Sequence, residues 1–259
     1  MALAFLVNLL TARYLGPSNY GLVNYAALYT AFFTSFATLG LSSLLLKDFM
    51  DDPEGAGTTV GTAIAMRLLS STLSAVSILA IVAAVDRGER LTMTVVALYS
   101  MSLIFQAFDT IQYWFQSRLE SKYATIATSV GYIIVSFYKV LLLVLGKDVR
   151  WFAISNTIDY AVAAIVFLGL YKWRGGPRLH FSPAKGRALL RQSGSFILCG
   201  LMVSVYNCTD RFMLKHLLDE ASVGYYATAT SLATMWTFVL SAIIDSITPG
   251  IMQAHRTDR

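Results

Sequence analysis

Four charged side chains, Arg67, Asp109, Lys139 and Asp159, lie inside long apolar stretches of this sequence. A charge near the centre of a lipid bilayer costs about 3 kcal/mol on insertion scales, so each one needs a physical reason to be there. Counting helical residues at a rise of about 1.5 Å sets Arg67 level with Asp109, about 10 Å from the predicted cytoplasmic ends of their spans, and Lys139 level with Asp159, near the predicted outer ends of theirs. We therefore expect opposite charges to face each other within a membrane, either as structural pairs or as the lining of a path.

Other polar side chains continue from these charges at helical spacing. In lipid, the polar face of a helix must turn toward protein or toward water. A single polar stripe is typical of a helix–helix contact, whereas several stripes together predict a water-lined cavity between helices. The stripes comprise Ser129, Tyr132, Ser136 and Lys139; Gln106, Asp109, Tyr113 and Gln116; Ser155, Asn156, Asp159 and Tyr160; and Ser204, Asn207 and Arg211.

Composition indicates that lipid, and not water, surrounds most of the chain. Of the 259 residues, 56% are hydrophobic and 14% are charged, against about 25% charged in an ordinary soluble domain. The three histidines are scattered, and Cys199 and Cys208 stand nine residues apart on one predicted helix, about 13 Å and beyond disulfide reach. We therefore predict no catalytic group, no metal site, no cofactor and no nucleic-acid partner.

The apolar segments predict an all-α fold, a polytopic membrane bundle of about eight transmembrane helices. The first segment would be only about 18 Å long as a helix, which is short for a ~30 Å hydrocarbon core. It is interpreted as a membrane helix whose beginning is missing, in a truncated chain. The predicted spans are 1–12, 22–46, 60–85, 91–115, 123–145, 151–171, 195–218 and 223–247.

The longest polar interval, 172–191, predicts the orientation of the bundle. It contains six of the twenty Lys and Arg residues and no Asp or Glu. By the positive-inside rule this basic loop lies in the cytoplasm, as does the amino terminus. Ser182 followed by Pro183 is typical of a capped helix start and predicts a short helix on the membrane interface.

A weak internal repeat suggests two lobes. Shifted by 203 residues, Leu15, Gly21 and Ala26 fall on Leu218, Gly224 and Ala229. Chance similarity between two apolar hairpins is the alternative. If the repeat is real, residues 1–171 form a six-helix N-lobe, 172–194 a basic cytoplasmic loop, and 195–259 the first hairpin of an incomplete second lobe.

Several short motifs resemble those of the polysaccharide-export flippases, which move O-antigen and exopolysaccharide precursors within the multidrug/oligosaccharidyl-lipid/polysaccharide superfamily. The resemblance covers nearly the whole chain at the level of spans and loops. It departs near 193–195, where relatives often have a proline. The motifs are RYLGPSNYG at 13–21, LGL at 39–41, DRFML at 210–214 and VGYYATA at 223–229.

The resemblance implies a transporter of the inner membrane that flips lipid-linked oligosaccharide from the cytoplasmic to the outer leaflet. Its substrate would carry a sugar, a diphosphate and a polyprenyl tail, and its other partners would be membrane lipid and a coupling proton or sodium ion. The predicted roles are diphosphate binding by Arg67, Lys139 and Arg211; cavity lining by Asn207 and Tyr132; and ion coupling by Asp109 and Asp159.

Three other functions compete with this interpretation, and one of them, a purely structural membrane protein, would not need matched charges in four helices. A cation-coupled drug exporter of the same superfamily would favour acidic and aromatic residues in its cavity, and Arg67 and Lys139 argue against it. A membrane-embedded transferase would require a catalytic histidine or paired carboxylates near a membrane face. The nearest such pair, Asp51 and Asp52, is better explained as part of a solvated acidic loop. We therefore predict that the protein is not an enzyme.

Thiol labelling tests the predicted orientation. With Cys199 and Cys208 replaced by alanine, we expect Arg178→Cys, in the basic loop, to react with an impermeant maleimide only after cells are permeabilised. Lys147→Cys, in a turn predicted on the opposite face, should react in intact cells. Labelling of Arg178→Cys from outside would overturn the topology.

Overall fold

The computed structural model describes residues 2–86 and 88–234, and all regular secondary structure in these ranges is helical. This confirms the predicted all-α helical bundle. The helices are α1 (Ala2–Ala37), α2 (Ser42–Asp51), α3 (Ala56–Val85), α4 (Arg90–Ser117), α5 (Ser121–Val144), α6 (Val149–Trp173), α7 (Pro183–Leu217) and α8 (Glu220–Thr234).

Five helices, α3 to α7, are long and apolar enough to cross a membrane by length and composition, counting only the residues that the structure describes. The eighth predicted span, 223–247, begins in α8 and continues beyond Thr234, outside the described residues. α4 is interrupted near Met101 and contains a 3₁₀ turn over Ala107–Asp109. The chain is thus a multi-pass membrane protein.

The start of the chain differs from the prediction in where its helices end. Gly16 has a φ of 71° and a ψ of 171°, so α1 is two helices joined at a kink, and Pro17 begins the second one. That second part, 17–37, is about 30 Å long, enough to cross the hydrocarbon core. The expected turn at 14–21 is therefore reduced to a single bent residue.

The predicted span 22–46 is wrong at its carboxyl end. The helix stops at Ala37, because Leu39 and Gly40 adopt left-handed conformations with φ of 54° and 56°. The chain then re-enters a helix, α2, which continues to Asp51 through half of the expected acidic loop. An apolar composition around Gly40 concealed this break, because hydropathy does not register backbone conformation.

The amino-terminal part of α7 is also more regular than predicted. Ser182 caps the helix by accepting a hydrogen bond from the Lys185 amide, as expected from the Ser-Pro pair. The helix then continues without a break for 35 residues, instead of forming a separate interfacial helix and a span starting at Ser195. The Lys185 ammonium lies 2.8 Å from the Asp48 carboxylate, which ties the start of α7 to α2.

Two apolar cores hold α1 to α6 together, one toward each end of the bundle. The first joins the beginning of α3 to the ends of α4 and α6, and the second joins the end of α3 to the beginnings of α4 and α6. Residues between the two cores therefore lie at a middle level. Representative members are Leu45, Val60, Ile111, Phe115 and Phe167 in the first core, and Tyr25, Ile78, Val95, Leu103 and Phe152 in the second.

The two segments of the predicted repeat meet in a reciprocal contact. A Cβ added to Gly21 would lie 1.8 Å from the Glu220 carbonyl oxygen, and one added to Gly224 would lie 2.2 Å from that of Pro17. The same shift of 203 that relates Gly21 to Gly224 relates Pro17 to Glu220. Such mutual pairing is what a two-fold relation between equivalent segments produces.

Substitution at Gly21 should therefore destabilise the protein. We expect Gly21→Ala to lower the thermal unfolding midpoint of the detergent-purified protein, because overpacking a close contact costs about 1–3 kcal/mol. Gly169→Ala is the matched control, since a Cβ there meets nothing within 4 Å. Equal midpoints for the two variants would show that α1 and α8 do not approach this closely.

Candidate functional site

A polar layer separates the two apolar cores at the middle of the bundle. We use this name for Arg67, Gln106, Asp109, Lys139 and Asp159, which stand on four different helices. In α3, α4 and α6, their positions fall between the core residues of one end and those of the other. Since the cores occupy the two ends, the layer lies near the depth where burying charge is most costly.

Arg67 is the most deeply buried charge in the layer, with 2% of its surface exposed. Its Nη1 donates a hydrogen bond to the Thr110 hydroxyl at 3.1 Å, and its Nε has no hydrogen-bond partner. Asp109 and Tyr113 are near enough to act on it electrostatically. No Arg67–Asp109 ion pair within 4.0 Å occurs among the described residues, so the expected pairing is electrostatic and not a direct contact.

Lys139 and Asp159 form a similar, looser arrangement. The Lys139 ammonium donates a hydrogen bond to the Asn8 side-chain oxygen at 3.3 Å. Asp159, on α6, interacts electrostatically with this ammonium, but the two groups form no ion pair within 4.0 Å in the part of the chain described. Gly131 makes room for the carboxylate, because a Cβ there would lie 2.7 Å from Asp159 Oδ1. Both cations thus keep hydrogen-bonding capacity free.

Other members of the predicted stripes join the layer or extend it. Tyr160 interacts electrostatically with Asp109, Asp159 and Tyr132. Tyr132 itself is 54% exposed, at the border of the layer. The buried Oε1 of Gln106 has no hydrogen-bond partner. A buried polar atom without a partner is rare in folded proteins, so Gln106 keeps an acceptor free within the layer.

The structure does not bring every predicted site residue into this layer. Asn207 is exposed on α7, and Arg211 stands one helical turn further on. Within the described residues, no hydrogen bond or ion pair joins either of them to the layer. Ser204 instead bonds Ser35 of α1 at 3.1 Å, so this part of the α7 stripe connects helices.

A cavity of about 290 Å³ lies between α1, α3 and α7, away from the four charges. Its lining is mainly apolar and includes Phe32, Ile81 and Phe212. The predicted site residues do not line it.

Comparison with known proteins assigns the chain to a family. The family model described as Polysaccharide biosynthesis protein matches residues 1–255, almost the full length. The chain belongs to the polysaccharide biosynthesis protein family. No curated protein and no solved structure matches it. The resemblance seen in the sequence motifs is thereby confirmed, together with a membrane location and a part in polysaccharide-precursor transport.

Three residues of the site in this polysaccharide biosynthesis protein were missed from sequence: Asn8, Thr110 and Gly131. Asn8 interrupts an otherwise apolar run, which was a usable signal. Thr110 and Gly131 gave none, because threonine and glycine are common in membrane helices. In the described residues, no group of three or more His, Cys, Asp or Glu side chains is arranged to hold a metal ion.

A second group of charges lies at the end of the bundle beyond the second core, between the two segments of the predicted repeat. Lys215 of α7 lies 2.9 Å from the Glu220 carboxylate and 3.3 Å from that of Glu89. Thr92 donates to Glu89 at 2.7 Å, and Ser18 donates to Glu220 at 3.3 Å. We name these residues the clasp, because they join α1 and α4 to α7 and α8.

The clasp should make stability depend on acidity. The hydrogen bond from Thr92 and the charge of Lys215 lower the pKa of Glu89 below its ordinary value of 4.5, against an opposing effect of partial burial. A carboxylate with a lowered pKa contributes stability above its unfolded value and loses it as pH falls through its folded value. Glu89→Gln should therefore unfold at a lower temperature than wild type at pH 7.

The difference should shrink as the pH falls below about 4.5. Glu54→Gln, which removes a charge from an exposed turn, is the control and should leave the midpoint unchanged at both pH values. A constant difference between Glu89→Gln and wild type across this range would contradict the clasp.

Proposed function

We propose that this chain forms part of a flippase that moves a polyprenyl-diphosphate-linked oligosaccharide from the cytoplasmic to the outer leaflet of the inner membrane, with its amino terminus in the cytoplasm. The observation that carries the proposal is the polar layer. It combines one buried charge, Arg67, and three partly buried charges on four helices in all with polar atoms that lack a partner. Membership of the polysaccharide biosynthesis protein family supports the substrate class.

The physical barrier to flipping is the removal of sugar and diphosphate from water. Transfer of one unpaired hydroxyl into an apolar medium costs roughly 2–7 kcal/mol, and a charge costs far more. Arg67 and Lys139 each make one hydrogen bond through the side chain, to Thr110 and Asn8 respectively. Their remaining donors are suited to phosphate oxygens, which arginine binds as a fork and lysine as a point charge.

The carboxylates of the layer suit a second role. Asp109 and Asp159 are partly buried and lie near the two cations without contact pairing. We propose that one of them takes up a coupling proton or sodium ion, so that the charge of the layer changes during the cycle. Tyr132 and Asn207, both exposed, and Arg211 would contact the substrate along its route toward the layer.

The drug exporter of the same superfamily remains the alternative function. It suits the two carboxylates and the tyrosines of the site. The two interior cations, Lys139 and the 2%-exposed Arg67, fit an anionic lipid-linked substrate better than a cationic drug. We propose a transporter and no covalent chemistry.

The Lys139 side chain provides the sharpest test. In cells whose own flippase is deleted, we expect Lys139→Ala in the full-length protein to reduce surface glycan about 10- to 100-fold, the worth of one charge-assisted hydrogen bond. Lys122→Ala is the matched control, because Lys122 is an exposed cation on the same helix, stacked over the Tyr123 ring. Protein abundance is measured for both variants.

Normal glycan export by Lys139→Ala at normal abundance would remove this residue from the transport path. If neither the wild type nor any variant restores glycan, but wild type lowers sensitivity to cationic dyes, the drug exporter is favoured instead.

A further inference from the structure

We propose that the cavity between α1, α3 and α7 binds the part of the hydrocarbon chain of a polyprenyl phosphate that adjoins the phosphate, with the phosphate held by Arg211. This inference rests on the proposed function and adds to it a lipid site separate from the polar layer. The cavity, about 290 Å³, has a buried floor formed by Leu28, Tyr29 and Cys208.

The rim of the cavity opens toward the bilayer. Ile81, Val205 and Phe212 line it and remain 39%, 43% and 37% exposed. α3 and α7 are both membrane-spanning by length and composition, and in the proposed site these exposed side chains lie against lipid. An empty apolar void forfeits dispersion contacts, and water does not fill it without polar partners. A hydrocarbon chain that enters sideways from the bilayer is the occupant that this chemistry favours.

Arg211 provides an anion site at the edge of the cavity. It precedes Phe212 and follows Cys208 by three residues, and it is close enough to the Cys208 thiol to act on it electrostatically. Its Nε is buried without a partner. Ionised side chains in a membrane pair with opposite charges or with other polar groups, and an anion is the partner that would balance the charge of Arg211.

The nearest carboxylate does not supply that partner. Asp210 Oδ1 accepts the Arg211 backbone amide at 2.8 Å, and Asp210 Oδ2 accepts the Tyr226 hydroxyl. Each oxygen thus accepts a hydrogen bond from another group, and no Arg211–Asp210 ion pair within 4.0 Å forms among the described residues. The guanidinium keeps its fork of donors for an outside anion, and a phosphate matches that fork.

A polyprenyl phosphate fits the combination better than a phospholipid does. The cavity is a single compartment among three helices and suits one chain, whereas a phospholipid brings two. Aromatic rings of Tyr29, Phe32 and Phe33 line it, and they pack well against a chain with branching methyl groups and double bonds. The cavity is level with the second apolar core, toward the clasp. In the predicted topology, that is the outer-leaflet half of the bundle.

Native mass spectrometry of the detergent-purified full chain tests this site. We expect wild type to bind one molecule of undecaprenyl phosphate. Val205→Trp, which fills the rim, and Arg211→Met, which removes the charge, should each weaken binding about tenfold or more. Undecaprenol, which lacks the phosphate, should bind about tenfold more weakly to wild type.

Two matched variants control for general effects on α7. Val203→Trp adds the same ring at an exposed position two residues away, and Arg191→Met removes an exposed arginine from the same helix. Both should bind like wild type. The proposal would be overturned if these two control variants lost as much binding as Val205→Trp and Arg211→Met. It would also be overturned if Val205→Trp and Arg211→Met bound undecaprenyl phosphate like wild type, or if phosphatidylglycerol competed equally well for the site.

This measurement involves no transport, so its outcome is distinguishable from that of the export experiment. If Lys139→Ala exports glycan normally, the polar layer loses its proposed role in transport. The lipid site is then still decided by the binding measurement alone. If Val205→Trp binds normally while Lys139→Ala blocks export, the flippase stands and the lipid site is wrong.

Discussion

The cost of placing a guanidinium in the middle of a membrane is the constraint on which the arrangement of this protein depends. Arg67 is 2% exposed, yet its one side-chain hydrogen bond goes to a threonine and not to a carboxylate. An isolated charge in such a medium is strongly unfavourable, so neighbouring helices have to contribute compensating polarity at the same depth. Asp109, Asp159 and Lys139 do so without closing into contact pairs, which leaves an interior whose two cations and two carboxylates balance formally but are loosely satisfied. That condition suits a passage for polar groups better than a static structural core.

Apolar packing in the cores on either side of this layer offsets the free-energy cost of burying its charges. In α3, α4 and α6, the chain alternates along its length between core residues, polar residues and core residues again, and the antiparallel order of the helices brings the three zones into register. The ends of the bundle therefore supply the favourable burial, while the middle remains polar. Helices α7 and α8 are also joined to the rest of the bundle by ionic contacts: a salt bridge from Lys185 to Asp48 at one end, and the clasp around Lys215 at the other. Because both attachments are ionic, their strength depends on pH and salt.

Much of this arrangement could be predicted from hydropathy and charge. The spans α3 to α6 were predicted to within a few residues, because long apolar runs bounded by charges have few alternatives in lipid. Matching depth correctly associated Arg67 with Asp109 and Lys139 with Asp159. The break at Leu39 and Gly40 was missed because a left-handed residue leaves no trace in hydropathy. The Asn8 contact was missed because it joins residues 131 positions apart, and the position of Arg211 beside an apolar cavity depends on how three helices pack.

The approach of Gly21 to Glu220, and of Gly224 to Pro17, has a consequence for how this region can vary. The backbones of the two helices meet there with no side chain between them, so there is no room for an added side-chain atom unless the helices move apart. Because the two contacts are reciprocal, an atom added to either glycine would push the two helices apart and so widen the other contact as well. The two glycines are therefore not independent positions: once one has been enlarged, the second loses its reason to stay small, and their tolerance of substitution is coupled.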